Sequence, residues 1–385
     1  MAGPAGPALT AAAFAATLLA ASPAPAESLR IATWSAELSR PGPGLLLRDI
    51  IAGEDPQIAA VIEVIDAVRP DILLLTEFDH DPGGATLDAF ADALAAAGLD
   101  YPHRFALPSN AGLPSGLDLD LDGDGRLGTA RDAHGYGQFR GDGAMALLSR
   151  VPIDAEAVRD LSALRWAELP GAPQPVRADG TPFPSAEARA ARRLSSTGHW
   201  ILPVSLPGGT RLALLAFAAT APVFDGPEDA NGLRNAAEIG LWQALLDGTL
   251  AATLGPPPEA PFVILGRANI DPQDGEGRHA AIRALLADPR LQDPRPASAG
   301  AAAVADPDHA GDPALDTVEW QGRGLPGNLR VDYILPSADL PVRDAGVHWP
   351  DGAAETARAA ARHRLVWVDI ALPAAEPDGR GPSAP

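Results

Sequence analysis

Short apolar runs of strand length recur along the chain, and they limit the folds open to it more than any other feature of the sequence. These runs lie at residues 29–35, 70–77, 143–153, 199–204, 212–217 and 261–264. Segments whose apolar residues are spaced near the helical period lie between them, at residues 58–68, 87–97, 234–246 and 279–287. Central strands covered by such helices predict an α/β sandwich.

The strand signals belong to one continuous domain, which we predict over residues 27–373. Three segments within it are rich in Gly, Pro, Ala and Asp and lack a periodic apolar pattern, at residues 106–141, 159–191 and 296–327. We predict that these segments are loop insertions. Residues 374–385 are predicted to form a disordered tail.

Residues 1–26 are typical of a signal peptide. They are apolar from Ala11 to Ala21 and end in Ala24-Pro25-Ala26, a small-residue cleavage pattern ahead of Glu27. A disordered Ala/Pro leader is the alternative, because the first ten residues carry no Lys or Arg. No later apolar segment is long enough to span a bilayer. We therefore expect the mature protein in the periplasm or outside the cell.

The formal net charge of −21 at pH 7 bears on the partners that the chain can take. Tight non-specific binding to nucleic acid depends on neutralising phosphates with basic residues, so we do not expect it here. The chain has no Cys, and disulfides therefore play no part in its stability. We expect a monomer without a membrane span, and a phosphorylated small molecule or another anion as its ligand.

Two of the apolar runs lead into side chains suited to phosphate or metal chemistry. The run at residues 70–77 ends in Glu77, and the run at 261–264 continues into Gly266, Arg267 and Asn269. The second segment resembles the Gly-Asp-x-Asn segment of the endonuclease/exonuclease/phosphatase superfamily, a group of metal-dependent phosphoesterases.

The resemblance extends to the other motifs of that superfamily, in chain order, over roughly residues 29–371. Residues 330–335 and 362–367 are similar to its last two strands. Residues 223–229 and 231–235 further resemble a secreted bacterial branch of it. The resemblance implies a four-layer α/β-sandwich of two mixed β-sheets flanked by helices.

Residue by residue, this chain keeps only part of the catalytic set that the resemblance implies. The retained positions are Glu77, Asn269 and His363. Four positions carry other residues, namely Ser35 in place of Asn, Ala218 in place of His, Arg267 in place of Asp and Arg362 in place of Asp.

The resemblance also implies roles for these positions. Mg²⁺ or Mn²⁺ is the cofactor expected of the superfamily, with Glu77 as a principal ligand. Asn269 would hold a phosphate oxygen, and His363 would manage protons and charge. Around them, Asp332 and Tyr333 match the penultimate strand and would order the pocket, and His199 lies at the head of another strand.

The two arginines change the charge of the implied metal site. Glu77 with Arg267 and Arg362 is net positive before any metal arrives, and guanidinium groups do not deprotonate in proteins. The arginines either turn the pocket into an anion site or form salt bridges that close it. Neither alternative predicts efficient hydrolysis.

A second candidate site lies in the first insertion, where carboxylates alternate with other residues. Asp118, Asp120, Asp122 and Asp124, with the intervening Gly123, resemble the first half of a calcium loop. The bidentate Glu of a complete loop is missing, since the twelfth position is Thr129 or Arg131. Ca²⁺ binding and a solvated acidic loop are both open.

Three functions follow. The first is a secreted phosphoesterase homologue that is inactive or weakly active. The second is an active metal-dependent phosphodiesterase or phosphatase with rearranged ligands, such as Asp332 or Glu37. The third is a calcium- or anion-binding protein without catalysis.

Overall fold

The computed structural model describes residues 1, 3, 28–320, 322–350 and 354–372. Apart from residues 1 and 3, the predicted signal peptide lies outside these residues, as does the predicted tail at 374–385. Both therefore stay predictions.

Eleven strands and nine α-helices make up the described part of the chain. The strands are β1 Ser28–Leu38, β2 Ile72–Phe78, β3 His103–Phe105, β4 Ala144–Ser149, β5 Arg159–Asp160, β6 Gly198–Ser205, β7 Arg211–Ala218, β8 Phe262–Arg267, β9 Asp332–Pro336, β10 Val342–His348 and β11 Leu365–Ala371. The helices are α1 Leu45–Ala52, α2 Pro56–Val68, α3 Ala85–Ala96, α4 Ala186–Ala191, α5 Ala230–Leu246, α6 Ala251–Leu254, α7 Ala280–Leu286, α8 Ala299–Ala303 and α9 Ala354–Ala360.

The strands form two mixed sheets, as predicted. The first has the order β10–β11–β1–β2–β4–β3, and the second has the order β5–β6–β7–β8–β9. In each sheet one central pair is parallel, β1 with β2 and β7 with β8. The other neighbouring strands are antiparallel.

Alternating side chains divide each sheet into an inner and an outer face. The inner faces pack on each other around Ile31, Leu74, Leu214 and Leu265. The outer face of the first sheet packs under α2 and α3, and that of the second under α5 and α7. Helices, two sheets and helices again make the predicted four-layer sandwich.

Helix α2 shows how the sequence forms one of the outer layers. Asp55 caps its first turn by accepting hydrogen bonds from the backbone N–H groups of Gln57 and Ile58, and Pro56 occupies the first helical position. Its apolar stripe, which includes Val61 and Ile65, is buried against the first sheet.

Of the three segments predicted as insertions, residues 106–141 hold no strand or α-helix among those given above, whereas 159–191 include β5 and α4 and 296–327 include α8. No helix in the described part of the chain is long and apolar enough to cross a membrane.

Strand register brings the predicted site residues to one end of the sandwich. In the second sheet, Ala218 pairs with Arg267, and Arg267 pairs with Asp332. In the first sheet, Ser35 pairs with Thr76, next to Glu77. The two sheets meet through β1, β2, β8 and β9, so these side chains face one another at the ends of their strands.

Candidate functional site

Unusual backbone geometry marks the site before any side chain is considered. Glu77 has a φ of 56° and Asn269 a φ of 60°, in the left-handed region that non-glycine residues rarely adopt. The β2–β4 register shifts between Thr76 and Phe78, so Glu77 lies at a bulge that re-aims its side chain. Each left-handed residue costs on the order of 1 kcal/mol, which the surrounding structure must offset.

An ion pair between Arg267 and Glu77 occupies the centre of the site. The Arg267 Nη1 group donates to the Glu77 carboxylate and, at 3.1 Å, to the Ser35 hydroxyl. The Arg267 side chain is 11% exposed and that of Glu77 is 29% exposed. Ser35, which stands where the superfamily has Asn, is fully buried and accepts from the guanidinium.

The electrostatics of this pair favour the ionised state of both groups. Burial alone would raise the pKa of Glu77, but the charges of Arg267 and His363 and hydrogen bonds from Arg267 and Ser35 lower the pKa to about 2. Glu77 and Asp332, against burial, raise the pKa of Arg267 above its usual value. Both groups are therefore charged, and their opposite charges nearly cancel.

His363 belongs to a separate hydrogen-bonded group beside this pair. Its Nδ1 lies 2.9 Å from Asp332 Oδ2, which also accepts from the Thr317 hydroxyl at 2.9 Å. The Trp320 ring meets the imidazole edge-on, with ring centroids 5.4 Å apart. The Asp332 carboxylate therefore holds the imidazole in a fixed orientation.

Arg362 does not join the central pair. Its Nε donates to Glu37 at 2.8 Å, and its side chain is 66% exposed. Of the two arginines predicted at the site, Arg267 pairs with Glu77 and Arg362 pairs with Glu37. The reason is local: Glu37 has a φ of 50° and places its carboxylate within reach of the chain that follows α9.

The other two positions of the implied catalytic set, Ala218 and Asn269, offer few polar atoms to a ligand. Ala218 is fully buried among the apolar side chains between the sheets. Asn269 donates a long hydrogen bond of 3.3 Å to the Ala219 carbonyl oxygen. Its amide therefore lies beside the position of Ala218, as the strand register requires.

His199 and Tyr333 do not face the site, which corrects their predicted role around it. His199 is buried against Phe217 and Trp242, and its ring nitrogens lie 2.6 Å from Ser195 Oγ and 3.0 Å from the Glu238 carbonyl oxygen. Burial lowers the pKa of His199 to about 4, so the imidazole is neutral.

Tyr333 donates to backbone carbonyl oxygens of Ile270 and Arg330. Both residues occupy the outer face of their strands because they alternate with inward-facing neighbours, Trp200 in β6 and Ile334 in β9. Of the three residues predicted around the pocket, Asp332 alone is brought to it.

Sequence reasoning missed several residues that shape the site. Thr317 and Trp320 orient the Asp332 and His363 side chains from the third insertion. Asp142 lies near Glu77, and burial together with the Glu77 charge raises its pKa. Asp142 directly follows the first insertion, so the chain that leaves this segment passes near Glu77. No sequence pattern signals these contacts, because they come from loops without periodic pattern.

The residues present do not fit a divalent metal at Glu77. Mg²⁺ or Mn²⁺ requires several oxygen ligands with negative charge. Here one carboxylate is bonded to a guanidinium, Ala218 offers no ligand atom, and Arg267 stands at the second carboxylate position. A cation would have to displace Arg267 from Glu77.

The acidic loop of the first insertion does form a cluster. Ligand oxygens of Asp120, Asp122 and Asp124 all lie within 4.8 Å of one another. Asp120 accepts from the backbone N–H groups of Gly123 and Gly125, at 2.5 and 2.9 Å. Asp118 is exposed and lines a neighbouring cleft of about 320 Å³. Three of the four predicted residues are therefore brought together.

Burial and the charges of Asp124 and Asp120 raise the pKa of Asp122, with hydrogen bonds from the loop opposing them. Like charges thus crowd one another in this loop. Arg131 lies 3.8 Å from Asp122 and supplies a positive charge beside it.

Comparison with known proteins places this geometry in context. A family model described as "Endonuclease/Exonuclease/phosphatase family" matches residues 48–368. A solved endonuclease/exonuclease/phosphatase from Beutenbergia cavernae is similar in structure, with a TM-score of 0.51 and 18% sequence identity over 90% of this chain and 72% of the other.

A family protein from Leptotrichia buccalis gives a TM-score of 0.48 at 14% identity, covering 89% of this chain and all of the other. The human Nocturnin catalytic domain gives 0.47 at 15% identity, covering 89% and 93%. No curated protein sequence matches the chain.

Proposed function

Because the chain belongs to the endonuclease/exonuclease/phosphatase family, we propose that it is a secreted phosphoesterase homologue whose ancestral metal site is closed by an internal ion pair, leaving it inactive or weakly active. Secretion rests on the leader at residues 1–26, and the monomeric state that we propose with it rests on sequence alone.

The Arg267–Glu77 ion pair is the observation that carries this proposal. In a functional member the carboxylate would be available to a dication. Here Arg267 supplies a permanent positive charge and a directional hydrogen bond at that place. Displacing a largely buried guanidinium would leave it unpaired, at a cost of several kcal/mol that metal binding would have to offset.

The geometry favours a closed pocket over an anion site. An anion site needs guanidinium groups free to bond the ligand. Arg267 is instead bonded to Glu77 and Ser35, and Arg362 is turned to Glu37. Asp332 adds a further negative charge beside His363.

Hydrolysis assays test the proposal directly. Bis(p-nitrophenyl) phosphate and plasmid DNA would be incubated with MgCl₂, MnCl₂ or CaCl₂ and either wild type or a variant carrying Arg267→Asp, Arg362→Asp, Ala218→His and Ser35→Asn. We expect hydrolysis by the variant only, and its loss on adding Glu77→Ala. Wild-type hydrolysis that disappears in Glu77→Ala would overturn the proposal and support the alternative of rearranged ligands.

Two single variants sharpen the assay. Arg267→Asp should bring a MgCl₂-dependent rise in Tm, because it returns a carboxylate to the place of the guanidinium. Arg362→Asp is the matched control and should bring none, because Arg362 pairs with Glu37 on the surface. Equal responses of the two variants would contradict the assignment of Arg267 as the group that closes the site.

The convergence of Asp120, Asp122 and Asp124 favours a second candidate function, Ca²⁺ binding by the first insertion. Titration calorimetry with CaCl₂ tests it. We expect wild type to give a heat of Ca²⁺ binding and the Asp120→Asn/Asp122→Asn variant to lose the heat that belongs to this loop. Absence of heat at millimolar CaCl₂ would show a solvated acidic loop instead.

A further inference from the structure

A cleft of about 320 Å³ lies within the first insertion. Its walls come from two segments of that insertion, within residues 112–119 and 128–138. A volume of this size is at the lower end of the range found for small-molecule sites, about 300–1,000 Å³. The side chains of the Arg267–Glu77 ion pair and of the Asp332–His363 pair do not line it, so the cleft requires an account of its own.

The backbone holds the two walls of the cleft together. Gly112 donates its N–H to the Gly135 carbonyl oxygen at 3.0 Å, and Pro114 pairs with Ala133 in an antiparallel bridge. Gly112 has a φ of 66°, and a Cβ there would overlap the Phe139 carbonyl oxygen, so only glycine fits this position. The cleft is therefore formed by the fold before any ligand arrives.

Several polar groups that line the cleft already have partners within the walls. Asp132 is 7% exposed and accepts from the Leu121 N–H at 2.9 Å and from the Thr129 N–H and hydroxyl at 2.8 and 2.9 Å. The Ser115 hydroxyl donates to the Leu117 carbonyl oxygen at 2.9 Å. These groups stabilise the walls and are not available to a ligand.

Asp118 is the charged group of the cleft that remains available. Its side chain is exposed, and in the part of the chain that the structure describes no residue donates a hydrogen bond to its carboxylate or forms an ion pair with it. It also stands apart from the converging carboxylates of Asp120, Asp122 and Asp124. Beside it lies Leu117, which is 60% exposed and lines the same cleft.

The charges of the cleft determine which class of ligand it can take. None of the described residues that line it is basic, and the whole chain carries a net charge of −21. An anion would therefore be repelled, whereas a cation would be attracted. A divalent metal ion requires several oxygen ligands, and Asp118 offers one unpaired carboxylate.

We propose that this cleft binds a small organic cation, whose ammonium group pairs with the Asp118 carboxylate and whose apolar body packs on Leu117 and the neighbouring Pro114 and Leu119. One exposed ion pair contributes little affinity by itself. The apolar contact must supply the rest, so the ligand needs both parts. We expect a Kd in the millimolar range.

Binding of 2-phenylethylammonium chloride tests the proposal, with 2-phenylethanol as the neutral probe of similar shape. Both would be titrated in EDTA at physiological ionic strength and followed by saturation-transfer NMR. We expect wild type to bind the ammonium probe more tightly than the alcohol. Asp118→Asn should weaken binding of the ammonium probe about three- to fivefold and leave the alcohol unchanged. Leu117→Ser should weaken binding of both probes.

Asp100→Asn is the matched control, because it removes the same charge from an exposed position outside the cleft. It should leave binding of both probes unchanged. Equal weakening by Asp118→Asn and Asp100→Asn would show general attraction to an acidic surface and would overturn the proposal. Equal binding of the two probes by wild type, or no detectable binding of the ammonium probe, would overturn it as well. Hydrolysis plays no part in this readout, so its result is independent of the proposed function.

Discussion

At the scale of single residues, Arg267 occupies the place that a metal ion would take under the proposed function, and its guanidinium bonds both Glu77 and Ser35. It differs from a metal in three respects. The charge is covalently attached, its hydrogen bonds have fixed directions, and no water is activated by it. The Arg267 guanidinium therefore also links the ends of β1, β2 and β8.

Arg267→Met should destabilise the protein. The substitution keeps most of the side-chain volume but leaves Glu77 buried in part without its partner, and breaking a buried ion pair on one side costs about 3 kcal/mol. Urea unfolding at pH 7 would measure the loss. Arg362→Met is the control and should change stability little, because its pair with Glu37 is exposed and such pairs contribute roughly 0–1 kcal/mol. Equal stability of Arg267→Met and wild type would contradict a structural role for the pair.

Some features of single residues could be predicted from the sequence and others could not. The pairing of Arg267 with Glu77 belongs to the first group, because both residues lie at the ends of predicted strands. The direction of Arg362 depends on the left-handed backbone of Glu37, which no sequence pattern signals. The outward direction of His199 follows from strand alternation once Gly198 is known to pair with Ala218, but that register is a tertiary fact.

At the scale of secondary structure, the strands that the sequence did not predict have one position in common. Every predicted run overlaps a strand of the structure, and these strands carry the buried core. The missed strands β3, β5 and β10 are all at sheet edges. An edge strand buries less apolar surface, and its sequence therefore carries a weaker apolar signal, as the exposed Arg343 and Asp344 of β10 show.

Helix α5 connects the second sheet to the loops of the site. Arg234 donates to the carbonyl oxygens of residues 134, 193, 194 and 195, and Glu238 accepts from Ser196 and Thr220. Asn235 donates to the carbonyl oxygens of Thr220 and Ala268. The apolar period of the sequence predicted this helix, but its buried polar residues also bind four separate loops, at residues 134, 193–196, 220 and 268.

The approach of β7 to β8 makes Gly266→Ala destabilising. Gly266 has a φ of 139°, and a Cβ at this position would overlap the Phe217 carbonyl oxygen of the neighbouring strand. We expect a lower urea midpoint and disturbance of the adjacent Arg267. Gly240→Ala in α5 is the matched control, because a Cβ there meets no atom within 4 Å. It should raise stability by up to about 1 kcal/mol, through helix propensity. A Gly266→Ala variant as stable as Gly240→Ala would refute the close approach.

At the scale of the whole molecule, two buried histidines lower the stability of the fold as pH falls. Burial lowers the pKa of His199 to about 4, and burial together with neighbouring arginines lowers that of His134 to about 4. Unfolding returns both imidazoles to their ordinary pKa of 6.5. Below that pH the unfolded chain binds protons that the folded chain does not bind, so the free energy of unfolding falls.

Other groups set the limits of this pH window. The pKa of Glu77 is about 2, so its contribution is lost only below its ordinary pKa of 4.5. Asp316 has the opposite sign. Its pKa of about 7 lies above the ordinary 3.8, so its contribution is present at low pH and is lost as pH rises through 7. A single wild-type curve would mix these effects, and a variant is needed to isolate the histidine.

We expect His199→Gln to flatten the dependence of stability on pH between about 6.5 and 4. A pKa difference of the size found for His199 corresponds to about 3 kcal/mol across this window, and the variant removes it. The measurement is the urea unfolding free energy at several pH values. The variant also loses contacts with Phe217 and Trp242, so Phe217→Leu serves as control: it weakens the same packing and should keep the wild-type slope. If His199→Gln retained that slope as well, His199 would not be a buried neutral imidazole, and the acid sensitivity of the fold would have to come from His134 and the carboxylates.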